Sequence, residues 1–211
     1  MYSPRHFAEL DRTVLRDEIR KIRAGHLITL GSEGLEASFI PLLISDDAGM
    51  ITGHLAKGNE QWRHADTSVP ALITWIGPDA YVSPSYYPSK REHQKVVPTW
   101  NYITVQAKGL LSFREDDQWK RSHLEALTNF HERAMVEPWA VSDAPNEFIE
   151  GLMQAIVGVS IQVASIEGKW KLSQNKSDSD VAGVVAGFKT QGTESAEKLI
   201  QKMTIGVERN A

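Results

Sequence analysis

The fold prediction rests on residues 26–55, which read HLITLGSEGLEASFIPLLISDDAGMITGHL. Two segments rich in Gly, Ser and Asp, residues 31–34 and 45–49, are favourable turn formers. They separate three β-prone runs at 26–30, 35–44 and 50–55. Three adjacent strands with tight turns between them predict an antiparallel meander.

The rest of the chain extends this sheet and adds helices around it. Further strand-like runs are 71–76, 80–83, 102–113 and 159–166, and helical periodicity marks 11–24, 116–134, 146–157 and 193–203. Gly25 suits the left-handed stop of the first helix, and Thr193 suits the N-cap of the last. The pattern predicts an α+β, mainly β fold: an antiparallel β-barrel with peripheral helices. We expect one domain over 1–211, with a barrel core at about 26–172 and C-terminal helices at about 177–205.

Composition excludes several classes of protein. The 211 residues contain 23 Lys and Arg against 27 Asp and Glu, and this net charge of −4 argues against a general nucleic-acid-coating protein. The absence of Cys removes disulfides, thiolate zinc sites, iron–sulfur clusters and cysteine nucleophiles, and it fits a reducing cytoplasm. No apolar run approaches the ~20 residues of a membrane span. We therefore expect a cytoplasmic protein that does not enter a membrane.

Three segments carry candidate binding chemistry. Residues 77–102 begin with three prolines and three tyrosines in twelve positions, which suits either a stiff binding loop for a flat anionic ligand or an Ω-loop over the barrel end. Residues 53–62 combine Lys57 and Gly58 with a predicted helix start near Asn59, a reasonable phosphate cradle that many strand-to-helix turns resemble. Residues 167–176 offer cations, a hydroxyl, amides and an indole, or else a strand exit with solvated lysines.

Hydrolytic and metal chemistry have little support in the sequence. The seven histidines form no H-E-x-x-H or H-x-H motif, and neither G-x-S-x-G nor G-x-G-x-x-G occurs. His123 and His131 lie eight residues apart on one predicted helix, which is more typical of ordinary imidazoles than of a metal site. We assign no catalytic residue and no metal ligand.

Five long motifs resemble the PaiB-like family, which is described as FMN-binding negative transcriptional regulators. The resemblance covers nearly the whole chain. Its motifs are MYSPRHF at 1–7, GHLAKGNEQW at 53–62, YVSPSYYPSK at 81–90, VPTWNY at 97–102 and EGKWKLSQN at 167–175.

The resemblance implies a flavin-reductase-like split β-barrel, related in fold to pyridoxamine-phosphate oxidase, that forms homodimers with FMN at the subunit interface. Redox chemistry would then belong to the flavin. Carried over by position, the cofactor-binding residues are His54, Lys57 and Asn59 at the phosphate and ribityl chain, Trp100 and Asn101 beside the flavin, and Lys171, Ser173 and Gln174 from the same or the partner subunit.

The sequence departs from the family pattern at three positions. Phe39 and Gln106 stand where relatives often carry histidine, and Glu60 replaces a usual proline. Phe39 removes an imidazole from the expected cofactor strand, whereas Lys57 and Asn59 retain groups that can hold a phosphate.

Other functions stay open at this stage. The first alternative is an FMN-dependent oxidoreductase with a nicotinamide donor, since fold does not fix function. A second is a binder of another planar anion such as haem, with His54 and His93 as the available imidazoles. Direct DNA contact would need a dimer that aligns Lys90 and Arg91, or the helix face of Arg16, Arg20 and Arg23.

Overall fold

The computed structural model describes the backbone of residues 1–208 and the side chains of residues 1–203. The strands are β1 (Ala8–Glu9), β2 (Ala24–Gly31), β3 (Gly34–Pro41), β4 (Leu43–Ile44), β5 (Met50–Ala56), β6 (Ala71–Val82), β7 (Thr99–Arg114) and β8 (Ile156–Lys171). The α-helices are α1 (Arg12–Ile22), α2 (Gln61–His64), α3 (Ser89–His93), α4 (Asp117–Glu132), α5 (Asn146–Met153), α6 (Asp178–Gln191) and α7 (Glu194–Glu208). Within the described residues, no helix is both long and apolar enough to cross a membrane.

The strands follow the order β3-β2-β6-β7-β8-β5-β4, and β1 pairs with β8. The registers recorded for β1–β8, β2–β3, β2–β6, β4–β5 and β5–β8 are all antiparallel. The predicted turn at 31–34 closes the β2–β3 hairpin, where Gly31 pairs with Gly34 and Gly34 takes a φ of 95°. The mainly antiparallel α+β fold class is confirmed.

The end of α1 differs from the prediction. Arg23, with a φ of 72°, takes the left-handed position that was expected at Gly25, and Gly25 lies inside β2. A Cβ on Gly25 would come within 2.9 Å of the Thr74 carbonyl oxygen and of the Trp75 indole. The glycine is therefore required for close packing of β2 on β6, and not for the helix stop.

The chain divides into two compact units. The first unit comprises Met1–Asp11, Ile76–Val105 and Glu167–Ala211, and the second comprises Arg12–Trp75 and Gln106–Ile166. The assignment of the whole chain to one domain stays a prediction.

The core of the first unit lies between strand residues and the C-terminal helices. Val82, Ile103, Val184, Phe188 and Leu199 are all fully buried there. The predicted cap of α7 is present, since the Ala196 amide donates to the Thr193 hydroxyl over 3.2 Å.

Candidate functional site

In the second unit, Lys57 follows β5 and already has an acidic partner. Its ammonium lies 3.6 Å from the Glu115 carboxylate, and its backbone N–H donates to the Ala155 carbonyl over 2.8 Å. Because both side chains are partly exposed, the pair is weak and solvent-screened. Lys57 therefore stands where a cation was predicted, but an incoming phosphate would compete with Glu115.

Asn59 stabilises the turn before α2 through two side-chain hydrogen bonds. Its Nδ2 donates to the Ser38 hydroxyl over 2.7 Å, and its Oδ1 accepts the Gln61 backbone N–H at 3.0 Å. Both ends of the amide are thus engaged inside the protein. The helix starts at Gln61, two residues after the predicted position.

His54 forms a pair with His123 of α4. His54 Nδ1 lies 3.2 Å from His123 Nε2, and the His123 ring stacks on Trp119 with a centroid distance of 5.2 Å. A Cβ on Gly158 would lie 2.1 Å from the Trp119 ring, so the glycine leaves space for the indole. His54 is therefore part of a packed row of rings.

Burial sets the protonation state of this histidine pair. It lowers the pKa of His54, and burial together with the neighbouring His54 charge lowers the pKa of His123 to about 4. His123 Nδ1 is buried and has no hydrogen-bond partner among the described residues. Both imidazoles are neutral at pH 7, so neither supplies a cation for a phosphate there.

In the first unit, the side chains of Asn101 and Ser173 form hydrogen bonds with each other. Asn101 Nδ2 lies 3.0 Å from the Ser173 hydroxyl, which lies 3.2 Å from Asn101 Oδ1, and both residues are buried. Ser173 has a φ of 67°, a left-handed conformation that a non-glycine residue adopts rarely. The pair fixes the corner where the chain leaves β8.

Lys171 is anchored by the start of β7. Its ammonium donates to the Trp100 carbonyl over 2.5 Å and to the Thr99 hydroxyl. Burial is the main cause that lowers the Lys171 pKa, and the charges of Lys169 and Lys176 lower it further. This is a cluster of cations in a partly desolvated position.

Trp100 and Gln174 flank the same corner in different ways. The Trp100 indole is 52% exposed and makes an edge contact with Tyr81 at 6.1 Å, so one aromatic surface is accessible to a flat ligand. Gln174 Oε1 accepts the Leu172 N–H at 2.7 Å, and its Nε2 donates to the Trp170 carbonyl over 2.5 Å. Gln174 therefore reinforces the strand exit.

The predicted site residues fall into two groups. His54, Lys57 and Asn59 belong to the second unit, where Asn59 reaches back to β3 and His54 to α4. Trp100, Asn101, Lys171, Ser173 and Gln174 belong to the first unit and meet around one corner.

Sequence reasoning left several neighbours out of the candidate set. Tyr87 and Lys176 line the cleft beside Lys171, and Glu115 and His123 contact Lys57 and His54. Lys176 lies in a segment already noted for its cations, so that signal was present in the sequence. Glu115 and His123 are far from their partners along the chain, and no local pattern indicates these contacts.

The comparison with known proteins identifies the family. Residues 1–165 match the family described as "Putative FMN-binding domain". The chain belongs to this family. A relative from Bacillus subtilis, the protease synthase and sporulation protein PAI 2, is 30% identical over 205 residues that cover 96% of each chain. An uncharacterized protein from Emericella nidulans is 31% identical, and the match covers 93% of this chain and 94% of the fungal protein.

Solved structures agree on the fold. The flavocytochrome Anf3 from Azotobacter vinelandii matches with a TM-score of 0.59 and 12% identity, over 86% of this chain and 78% of its own. The FAD and haem binding protein from Mycobacterium smegmatis matches with a TM-score of 0.55 and 16% identity, over 83% of this chain and 78% of its own. The predicted split-barrel fold and the predicted PaiB-like family are confirmed, and the protein is an FMN-binding split-barrel protein.

The residues of the first unit fit an FMN-like ligand in their chemistry. Trp100 offers an accessible aromatic surface, and the Lys171 cluster offers positive charge for the phosphate. Within the described part of the chain, the buried Tyr87 hydroxyl has no hydrogen-bond partner, so it can donate to a ligand oxygen. In the second unit the amide of Asn59 is already engaged, so Lys57 is the side chain there that best suits a phosphate.

Proposed function

We propose that the protein is a regulatory flavoprotein that works as a homodimer with FMN at the interface between the two copies. Family membership over residues 1–165 carries the cofactor part of this proposal. The Bacillus relative is named for protease synthesis and sporulation, which fits a regulatory role. A cytoplasmic location, which the cysteine-free sequence favours, belongs to the same proposal.

The proposed cofactor contacts follow the chemistry of the side chains. Lys57, with His54 and Asn59 beside it, faces the phosphate and the ribityl chain. Trp100 and Asn101 lie beside the flavin ring. Lys171, Ser173 and Gln174 contribute from the same or the partner copy. When bound, FMN supplies the redox chemistry, and these residues bind and orient it.

An exposed apolar face in the second unit is the observation that favours a dimer. Leu35 and Phe39 on β3 are 77% and 65% exposed, and Leu30, which pairs with Leu35 across the hairpin, is 49% exposed. Ala37 lies between Leu35 and Phe39 on the same face of the strand and is also exposed. Contiguous apolar surface of this kind marks a protein contact, and we assign it to a second copy of the chain.

The contacts of the basic residues indicate which of them could bind DNA. Arg16 and Arg20 of α1 donate to the turn between β4 and β5, at the Asp46 carbonyl and the Asp46 carboxylate respectively. These arginines therefore already have hydrogen-bond partners within the second unit. Lys90 and Arg91 of α3 are exposed in the first unit, and they are the basic pair that we propose for direct DNA contact.

The test combines flavin binding with oligomeric state and DNA binding. We expect the purified protein to bind FMN saturably and to elute as a dimer by light scattering. Filter binding to duplex DNA over a salt series should weaken as salt rises, and Lys90→Gln with Arg91→Gln should abolish it. Steady oxidation of reduced nicotinamide by the FMN-loaded protein would instead establish an oxidoreductase. A Soret band in the purified protein would establish haem.

A further inference from the structure

A small cleft in the first unit contains more positive charge than its surroundings balance. The cleft has a volume of about 160 Å³, and its lining includes Tyr87, Lys171 and Lys176. Sites that enclose most of a drug-sized ligand are larger, at roughly 300–1,000 Å³. The cleft is therefore suited to one group of a ligand and not to a whole flavin.

Neither ammonium group forms an ion pair within the part of the chain that the structure describes. Among the described residues, no carboxylate lies within 4.0 Å of the nitrogen of Lys171 or of Lys176. The charges of Lys176 and Lys169 add to burial in lowering the Lys171 pKa, which means that the lysines repel one another. An anion in the cleft would remove this repulsion.

The Tyr87 hydroxyl is the second, independent observation. Tyr87 is only 2% exposed, and its buried hydroxyl oxygen has no hydrogen-bond partner among the residues whose side chains the structure describes. A buried polar group left unsatisfied costs about 1–3 kcal/mol, so such a group is expected to have a ligand. Burial and the Asp180 charge raise the pKa of Tyr87, which keeps the hydroxyl protonated and able to donate. Asp180 itself accepts from the Ser89 hydroxyl over 2.8 Å.

The cleft is held in place before any ligand binds. Thr99 and the Trp100 carbonyl position the Lys171 ammonium, and the Lys176 ammonium sits 5.1 Å from the centre of the Tyr87 ring. The Lys176 backbone N–H donates to the Ser173 carbonyl over 3.0 Å, so the left-handed corner fixes the start of that side chain. A preorganised set of donors loses little freedom on binding.

We propose that Tyr87, Lys171 and Lys176 form a binding site for a phosphate group. A phosphate monoester carries about −1.5 to −2 charges at pH 7, which matches two ammonium groups, and its oxygens can accept from the tyrosine hydroxyl. The phosphate belongs either to FMN, a source that rests on the proposed function and would assign the FMN phosphate to this cleft in place of Lys57, or to a separate phosphorylated small molecule. The chemistry of the site is the same for both.

The test compares three ligands on two variants. Tyr87→Phe removes only the unsatisfied hydroxyl, and Lys176→Gln removes one charge. Their matched controls are Tyr2→Phe and Lys189→Gln, which change exposed side chains outside the cleft. Calorimetric titrations with FMN, riboflavin and inorganic phosphate are run on all four variants and on the unmodified chain. Each cleft variant should weaken binding of the phosphate-bearing ligand by about 10- to 100-fold, and each control should leave it unchanged.

The pattern across ligands identifies the source. Weaker FMN binding with unchanged riboflavin binding places the flavin phosphate in the cleft. Weaker binding of inorganic phosphate with unchanged FMN binding assigns the cleft to a separate phosphate. If the unmodified chain binds phosphate but no FMN, and both cleft variants weaken that phosphate binding, the proposed function fails and the cleft assignment stands. Unchanged affinity for FMN and phosphate in both cleft variants overturns the assignment.

A thermal melt separates binding from folding. Because Tyr87→Phe removes a hydroxyl that has no partner, the ligand-free variant should melt at or above the temperature of the unmodified chain. A lower melting temperature of this ligand-free variant would show that the hydroxyl has a structural partner, and it would overturn the assignment as well.

Discussion

At the scale of the residue, Lys57 and Lys171 differ in the groups that surround their ammonium charges. The Lys57 ammonium has the Glu115 carboxylate at 3.6 Å, whereas Lys171 has carbonyl and hydroxyl partners and two like charges nearby. A phosphate approaching Lys57 must replace an existing partner. A phosphate approaching Lys171 meets an ammonium group that has no ion-pair partner among the described residues.

This difference predicts opposite effects of two substitutions in the second unit. If Lys57 holds the flavin phosphate, Lys57→Ala should weaken FMN binding by about 10-fold, as for the loss of a charged hydrogen bond. Glu115→Gln should strengthen FMN binding by about 2- to 5-fold, because it removes a competing ion pair of modest strength. Fluorescence titration measures both, with riboflavin as the phosphate-free control. Equal affinities in both variants would move the phosphate away from Lys57.

The histidine pair predicts a dependence of stability on pH. The folded-state pKa of His123, about 4, lies below the ordinary value of 6.5, and the pKa of His54 is lowered as well. Between these values the unfolded chain binds protons that the folded chain does not, so the free energy of unfolding falls as pH drops from about 6.5 towards 4. The stability is fully present above pH 6.5.

Denaturant unfolding at several pH values measures this contribution. Between pH 6.5 and 4.5, the free energy of unfolding of the His123→Gln variant should fall by about 1–2 kcal/mol less than that of the unmodified chain. This is in line with 1.36 kcal/mol for each unit of pKa shift. His131→Gln changes a partly exposed histidine of the same helix and should leave the slope as it is. A slope that is the same in both variants would contradict the assignment.

Side-chain partners were the least predictable feature at this scale. The family resemblance predicts Asn59, Asn101 and Gln174 as cofactor ligands, but each amide is engaged inside the protein. The partners of Asn59 and Asn101 lie 21 and 72 residues away in sequence, and no local pattern contains that information. The charge of Lys57 and Lys171 and the aromatic surface of Trp100 could be predicted, because they depend only on residue type.

At the scale of the element, α6 makes a close contact through two of its glycines. A Cβ on Gly183 would lie 2.0 Å from the Tyr86 carbonyl oxygen, and one on Gly187 would lie 2.4 Å from the Tyr86 ring. Gly183 and Gly187 are four residues apart and therefore share one face of the helix. This face allows α6 to approach the segment that precedes Tyr87.

Alanine substitutions in two helices test the close approach. Gly183→Ala should lower the free energy of unfolding by about 1–3 kcal/mol, because the obstructing atom is backbone and cannot rotate away. Gly151→Ala is the matched control in α5, where no described atom outside the helix's own backbone lies within 4 Å of the added Cβ, and it should raise stability by about 0.5–1 kcal/mol. Denaturant melts that show the same sign for both variants would contradict the packing described here.

Most elements could be predicted because their signals are local. The hairpin turn at 31–34 and the Thr193 cap depend on neighbouring residues, and both are present. The predicted strand 35–44 is split, since it ends at Pro41 and resumes at Leu43. The Leu42 amide donates to the Arg23 carbonyl over 2.9 Å, a tertiary contact that local propensity does not contain.

At the scale of the whole molecule, the apolar face of β3 predicts how the dimer is broken. Phe39→Glu places a charge within the proposed contact and should convert the dimer to a monomer at micromolar concentration. Val136→Glu, at a fully exposed position elsewhere in the second unit, is the control and should leave the dimer intact. Light scattering measures the mass of both variants. A Phe39→Glu variant that stays dimeric would place the contact on another surface.

The central claim is that this chain binds FMN through its phosphate and its ring together. A single titration tests it: FMN and riboflavin are each added to the purified protein while flavin fluorescence and visible absorbance are recorded. We expect saturable binding of FMN that is at least about 10-fold tighter than that of riboflavin. Absence of FMN binding at high micromolar concentration would contradict it.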